Sequence, residues 1–250
     1  FIIDKKNKIS ATAFVDSINS YMNQYPIDNT YVLQNLMDSH DVDRLPSQII
    51  NPDNWYDHKS NPGQNADYDV RKPNETEILI QKFIIGIQMT MPGAPMIYYG
   101  DEAGMWGGDD PDCRKPMVWQ EIEYENEISH PFNKTRPSDE VSFNQDLFDW
   151  YRKLISIRNE SKTLQLGDIN FILIDDENDI ICYERTFANE TVFIILNNKN
   201  TDGEIKLDLG LLLSNDGALI ELIEGKEFRT SGKKIGLPLQ PYQVLILKIM

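Results

Sequence analysis

A histidine and an aspartate follow an apolar stretch of the sequence. Residues 31–37 are rich in apolar side chains and lead directly into His40 and Asp41. A carboxylate beside a buried strand is costly unless it is solvated, paired or bound to a ligand. Asp41 is therefore either a capping or ion-paired residue, with Arg44 as its partner, or part of a functional site.

A second apolar stretch, residues 95–99, also ends in carboxylates, Asp101 and Glu102. Adjacent residues at a strand end point to opposite sides, so this pair is no substitute for two cooperating catalytic carboxylates. The loop at residues 104–119 is dense in Gly, Asp and Pro. Its glycines are followed by acidic residues, which have the wrong sign for binding a phosphate.

Helices alternate with these two strands in the first part of the chain. Apolar residues recur at helical spacing, which predicts helices at residues 12–25, 75–91 and 145–158. Strands flanked by helices are typical of a parallel sheet, but two strands cannot close a barrel or bury three amphipathic helices. We therefore expect residues 1–160 to be the last portion of a larger α/β barrel, with Phe1 as an internal boundary.

The pattern changes to that of strands beyond Glu160. Strands are predicted at residues 168–174, 179–186, 191–196, 204–209, 218–223 and 242–249, with Asp, Asn and Gly turns between them. This predicts an antiparallel β-sandwich at residues 161–250. The expected fold class is thus α/β plus all-β.

Composition narrows the class of partner. The net charge of -16 repels phosphate backbones and anionic membranes, and no apolar run approaches the roughly 18 residues of a spanning helix. A neutral or cationic ligand is favoured over nucleic acid. Cys113 and Cys182 lie in different kinds of segment, which favours two free thiols over a disulfide. The histidines lack partners at metal-binding spacing, so no metal site is predicted.

Three ordered motifs resemble glycoside hydrolase family 13, the α-amylase family. Residues 36–45 (LMDSHDVDRL) resemble the region around that family's third catalytic carboxylate, on the seventh strand of a (β/α)8 TIM barrel. Residues 92–102 (PGAPMIYYGDE) look like its eighth strand, and residues 104–119 (GMWGGDDPDCRKPMVW) are most similar to the neopullulanase, cyclomaltodextrinase and maltogenic amylase branch. The family also carries an antiparallel sandwich after its barrel, so the resemblance covers nearly the whole chain.

The resemblance implies a retaining glycosidase that acts on α-glucans such as maltodextrin, cyclodextrin or pullulan. Such enzymes need an Asp nucleophile and a Glu acid/base that lie about 5 to 5.5 Å apart. The family carries both on its fourth and fifth strands, which precede Phe1. Asp41 matches the third carboxylate, which stabilises the transition state. We therefore expect the chain alone to be inactive, and the upstream barrel half of the same protein to be its partner.

Further residues take roles by the same resemblance. His40 is implied to hydrogen-bond hydroxyls of the sugar that Asp41 contacts. Asp110 and Arg114 match positions that contact a glucose away from the scissile bond, although a mutual ion pair is an equal reading. Glu102 is implied to be structural.

Arg44 and three aromatic residues are left between two readings. Arg44 either neutralises Asp41 or reaches a sugar hydroxyl. Trp106, Trp55 and Tyr56 either form stacking platforms for sugar rings or pack inside their loops, which is the commoner arrangement of loop aromatics.

The chain is expected to need no cofactor, because the family members that bind calcium do so through residues outside this segment. The alternative function is a non-catalytic member of the same fold that binds a carbohydrate or a protein. The presence of His40, Asp41, Asp110 and Arg114 favours an active parent enzyme.

Overall fold

Helices dominate the first part of the chain and strands the second. The structure is a computed structural model that describes residues 1–54, 58–210 and 216–250. The helices are α1 (Ala11–Met22), α2 (Ile27–Thr30), α3 (Leu45–Ile50), α4 (Glu75–Thr90), α5 (Gln145–Glu160) and α6 (Lys162–Leu166). The strands are β1 (Gln34–Leu36), β2 (Ala94–Met96), β3 (Asp168–Asp175), β4 (Ile180–Phe187), β5 (Glu190–Asn197), β6 (Gly203–Asp208), β7 (Ala218–Glu221), β8 (Glu227–Arg229), β9 (Lys234–Leu239) and β10 (Gln243–Ile249).

The two strands of the α/β part are parallel, with Asn35 opposite Pro95. Helix α4 lies between them in sequence and begins with a capping box, in which the side chains of Asn74 and Glu77 each accept from the other residue's backbone N–H. From this helix, Gln88 Nε2 donates to the carbonyl oxygens of Asn35, at 2.7 Å, and Met96, at 2.9 Å. The buried side-chain amide of Gln88 therefore links β1 and β2 to helix α4.

One edge of β1 is unpaired in the part of the chain that the structure describes. Beside it lies a groove of about 430 Å³, lined mainly by apolar side chains from α1, the β1 segment and α4, among them Phe14, Ile18, Met37 and Ile87. The α/β part thus presents both a free strand edge and an apolar groove on the same side.

The second part is built from two antiparallel sheets. Six strands pair in the order β3-β4-β5-β10-β7-β8, and β6 pairs with β9 in a second sheet. Alternate residues of the larger sheet point to opposite sides, as the strand period requires. Ile180, Cys182 and Phe193 pack with residues of the smaller sheet, whereas Ile181 and Ile194 pack with the helices.

Helix α4 approaches the larger sheet closely at Gly86. A Cβ atom there would lie 2.7 Å from Val244 Cγ2, so the contact requires glycine. The larger sheet is therefore buried on both faces, by the helices on one side and by the smaller sheet on the other. The predicted fold class, a portion of an α/β barrel followed by an antiparallel β-sandwich, is confirmed.

Several predicted boundaries differ from the structure. The first two strands are shorter than predicted, and the sequence does not predict α2, α3, α6, β8 or β9. Ile235, Leu237 and Leu239 of β9 alternate as buried residues, but Gly236 and Pro238 between them conceal the strand pattern. Among the described residues, no helix is both long and apolar enough to cross a membrane.

Candidate functional site

The loop that joins β1 to α3 carries His40 and Asp41. Their side chains are 65% and 66% exposed, and His40 Nε2 lies 3.2 Å from Asp41 Oδ2. The backbone N–H of Asp41 donates to Ser39 Oγ at 3.1 Å. Asp38 Oδ2 accepts from the backbone N–H of Leu45 at 2.8 Å, which closes the loop between its two ends. Both exposed side chains are thus presented on a short, hydrogen-bonded loop.

The loop that follows β2 brings Asp110 and Arg114 to the same place. Arg114 Nε lies 3.0 Å from Asp110 Oδ1 and donates to the carbonyl oxygen of His40 at 2.9 Å. Arg114 Nη2 lies 3.4 Å from Asp41 Oδ1. Four of the six site residues expected from the sequence, His40, Asp41, Asp110 and Arg114, therefore form one exposed cluster. The mutual ion pair of Asp110 and Arg114 is present as well.

The structure corrects both readings of Arg44. Its side chain is fully buried, so it cannot reach a sugar on the surface. Its partner is Asp101, with 2.9 Å between Nη1 and Oδ1, and the cation beside Asp41 is Arg114 instead. The backbone at Arg44 is extended and directs the side chain inward, away from Asp41.

Trp106 is likewise buried, with only 4% of its surface exposed. Its Nε1 donates to the carbonyl oxygen of Val70 at 3.3 Å, and the ammonium groups of Lys72 and Lys115 each lie 5.8 Å from its ring centre. Trp106 is therefore packed inside the loops and is no stacking platform for sugar. Trp55 and Tyr56 lie outside the described residues.

Beneath the exposed residues lies a buried group that we call the Arg44 cluster: Asp38, Arg44 and Asp101. Asp38 and Asp101 are close enough to influence each other, and Asp101 Oδ1 lies 2.9 Å from Arg44 Nη1. Burial, and next the neighbouring Asp38, raise the pKa of Asp101 well above its ordinary value, and burial also raises the pKa of Asp38. One guanidinium thus faces two buried carboxyl groups whose pKa values are both raised.

A third buried carboxyl, Asp43, lies in the same loop. Burial raises its pKa to about 6, although Tyr68 Oη donates to Asp43 Oδ2 at 2.7 Å and favours the ionised form. The sequence alone indicates no functional role for Asp38, Asp43 or Asp101. The available signal was the density of carboxylates where each strand ends.

The exposed cluster offers complementary groups for a neutral polyol. Carboxylate oxygens of Asp41 and Asp110 accept hydrogen bonds, whereas the Arg114 guanidinium donates them. Both carboxylates are open to solvent and paired with a cation, unlike a glycosidase general acid in its apolar pocket. Within the described ranges, no three His, Cys, Asp or Glu side chains are grouped to hold a metal ion.

Comparisons with known proteins place both parts of the chain. The family model described as "Alpha amylase, catalytic domain" matches residues 4–167, and that described as "Maltogenic Amylase, C-terminal domain" matches residues 169–246. A cyclomaltodextrinase of Geobacillus thermopakistaniensis (strain MAS1) is 30% identical, over 98% of this chain and 34% of its own length. Neopullulanase 2 of Thermoactinomyces vulgaris is 28% identical, over 89% of this chain and 30% of its own length.

A solved structure gives the same fold. The α-amylase of Geobacillus thermoleovorans in complex with acarbose superimposes with a TM-score of 0.67 at 22% identity, over 94% of this chain and 42% of that one. The chain spans about a third of the length of the two curated relatives. With its two-strand α/β part matched to the catalytic domain and its sandwich to the C-terminal domain, the chain belongs to the α-amylase family of glycoside hydrolases.

Proposed function

We propose that this chain forms one side of the active site of a retaining glycoside hydrolase that acts on α-glucans. Asp41 is the carboxylate that stabilises the transition state, and His40, Asp110 and Arg114 bind sugar hydroxyls. The observation that carries the proposal is the convergence of these four exposed side chains from the carboxyl ends of two parallel strands. In α/β barrels that end of the strands holds the active site.

The chemistry follows from the charge that develops during glycoside cleavage. The transition state resembles an oxocarbenium ion, so a carboxylate near the ring stabilises it more than it stabilises the neutral substrate. Asp41 lies 3.2 Å from His40 Nε2 and 3.4 Å from Arg114 Nη2, which hold its two oxygens in place. His40 and Arg114 are exposed enough for sugar hydroxyls to replace part of these contacts with Asp41.

The nucleophile and the acid/base are proposed to come from another part of the catalytic domain. The free edge of β1 and the groove beside it support this, because a parallel strand and a helix would cover both. The length of the curated relatives, about three times what this chain spans, also supports it. The relatives named cyclomaltodextrinase and neopullulanase support cyclodextrins, maltodextrins and pullulan as substrates, and a neutral glucan suits a chain of net charge -16.

The test is Asp41→Asn in a protein that contains this chain together with the rest of the catalytic domain. We expect turnover of maltodextrin to fall by about 100-fold or more, and binding of the substrate to change far less. Asp110→Asn is the matched control: it should weaken binding of longer substrates more than it lowers turnover. Equal losses of binding and turnover in Asp41→Asn would contradict the role. A protein that binds maltodextrin without any turnover would instead be a binding module.

A further inference from the structure

We propose that Arg44 is a positioning residue that fixes the two site-bearing loops relative to each other. One loop, residues 38–45, carries Asp41, and the other, residues 107–114, carries Asp110 and Arg114. The consequence for catalysis rests on the function proposed above, whereas the geometric claim can be tested without it.

Arg44 belongs to the first loop, but its contacts lie on the second strand and its loop. Its backbone N–H donates to the carbonyl oxygen of Gly107 at 2.9 Å. Its Nε donates to the carbonyl oxygen of Cys113 at 3.0 Å, and Nη1 donates to that of Tyr99 at 2.7 Å. The guanidinium also lies over the rings of Tyr98 and Tyr99, at 4.5 and 4.8 Å from their centres. One buried residue thus holds three separate points of the neighbouring segment, at Tyr99, Gly107 and Cys113.

Cys113 connects Arg44 to the exposed residues. Its carbonyl oxygen accepts from Arg44, while its Sγ lies 3.3 Å from the carbonyl oxygen of His40. The next residue, Arg114, donates to that same carbonyl oxygen and lies 3.4 Å from Asp41. A shift of Arg44 would therefore change the place of Arg114 relative to Asp41 through the peptide bond that joins Cys113 to Arg114.

The geometry of its hydrogen bonds, more than its charge, explains why arginine is needed at position 44. Asp101 pairs with the Arg44 guanidinium, and Asp38, next to Asp101, closes the loop at Leu45. Lysine would keep the positive charge, but its single nitrogen cannot reproduce the planar set of bonds to Asp101, Tyr99 and Cys113. Arg44→Lys therefore removes the geometry and preserves the charge.

The experiment compares Arg44→Lys with Arg158→Lys in this chain by NMR. Arg158 is a matched control: it is also a buried arginine, but it donates to the carbonyl oxygens of Met89, Met91 and Gly93 at the other end of β2. The chain has 3 histidines, so the imidazole signals of His40 can be assigned by substitution. The Nε–H signal of Arg114 reports on its bond to the His40 carbonyl oxygen.

We expect Arg44→Lys to shift or broaden the signals of His40 and Arg114, and Arg158→Lys to leave both in place while it lowers the melting temperature. Unchanged signals in folded Arg44→Lys would overturn the proposal. If Arg44→Lys does not fold, Asp101→Asn serves instead, because the amide keeps the shape of the side chain but lacks the charge that pairs with Arg44. Unchanged His40 and Arg114 signals in Asp101→Asn would then overturn it.

Kinetics of the longer protein separate this inference from the proposed function. We expect Arg44→Lys to lower kcat/KM by about 10- to 100-fold, as small misplacements of a catalytic group do, and Arg158→Lys to have little effect. Loss of kcat/KM in both variants to the same extent would reduce Arg44 to a purely structural residue. If the longer protein has no turnover at all, the proposed function fails, and the NMR comparison still decides the positioning role.

Discussion

Buried arginines at the two ends of β2 are stabilised in different ways. At the end near the exposed site, Arg44 pairs with Asp101 and shares its surroundings with Asp38 and Asp43. At the other end, which we call the α4 joint, Arg158 and Arg185 bond backbone carbonyl oxygens where α4 ends. No ion pair joins either of these two to a carboxylate within the described ranges.

The Arg44 cluster therefore contains carboxyl groups that can titrate, whereas the α4 joint does not. The carbonyl oxygens at a helix C-terminus carry partial negative charge, which suits a cation at any pH. Burial lowers the pKa of Arg185 to about 10, so the α4 joint stays positively charged through the physiological range. The carboxyls around Arg44 have raised pKa values instead. A change from neutral to acid pH should therefore alter the stability contributed by the Arg44 cluster and leave that of the α4 joint unchanged.

The largest effect is expected for Arg44→Met. Removal of the guanidinium leaves Asp38 and Asp101 without their cation, and breaking a buried pair in this way costs about 3–5 kcal/mol of stability at neutral pH. The loss should shrink as the pH falls, because both carboxyls can then be protonated. Urea unfolding at pH 5 and pH 7.5 measures the loss of stability and its dependence on pH. A loss below about 1 kcal/mol at pH 7.5 would mean that the cluster relaxes around the missing charge.

The next effect is the pH dependence that Asp43 contributes. Its pKa is raised in the folded chain from 3.8 to about 6, so its stabilising contribution is complete below pH 3.8 and is lost as the pH rises through 6. This displacement corresponds to about 3 kcal/mol. We expect the free energy of unfolding of Asp43→Asn, relative to the native chain, to rise by up to that amount between pH 4 and pH 7.

Tyr68→Phe tests the same pH dependence through the hydrogen-bond partner of Asp43. The Tyr68 hydroxyl favours the ionised form of Asp43, so its removal should move the midpoint of the pH dependence upward. If the difference between Asp43→Asn and the native chain is the same at every pH from 4 to 7, the raised pKa of Asp43 is wrong.

The smallest effect is expected for Arg158→Met at the α4 joint. The variant leaves three carbonyl oxygens without their donor but exposes no unpaired charge, which costs about 1–3 kcal/mol. The cost should be the same at pH 5 and pH 7.5 in the urea experiment that serves Arg44→Met. A cost that shrinks toward acid pH, as predicted for Arg44→Met, would remove the distinction between the two ends.

The sequence was most informative where one local pattern decides the outcome. Strands β3 and β6 are predictable because the exposure of their residues alternates, and β5 is predictable because its apolar residues form an unbroken run. The site residues were predictable from short motifs, and His40, Asp41, Asp110 and Arg114 do lie together. Their roles in sugar binding and catalysis stay predictions.

The errors came from contacts between residues far apart in sequence. The sequence offers Arg44 either as the partner of Asp41, three positions away, or as a sugar contact, whereas its partner Asp101 lies 57 positions away. Trp106 is a candidate sugar platform because aromatic surfaces suit sugar rings, but it is buried against the segment around Val70. Helix α3 was missed because its six residues follow a charged loop directly and include Pro46.

The most direct test of the central claim is an assay of the purified 250-residue chain with maltodextrin. Asp41 cannot act as nucleophile, general acid and transition-state stabiliser at once, so we predict no release of reducing sugar above the buffer control. Release of reducing sugar that persists through purification and disappears in Asp41→Asn would contradict the claim, because it would mean that this chain holds a complete catalytic site.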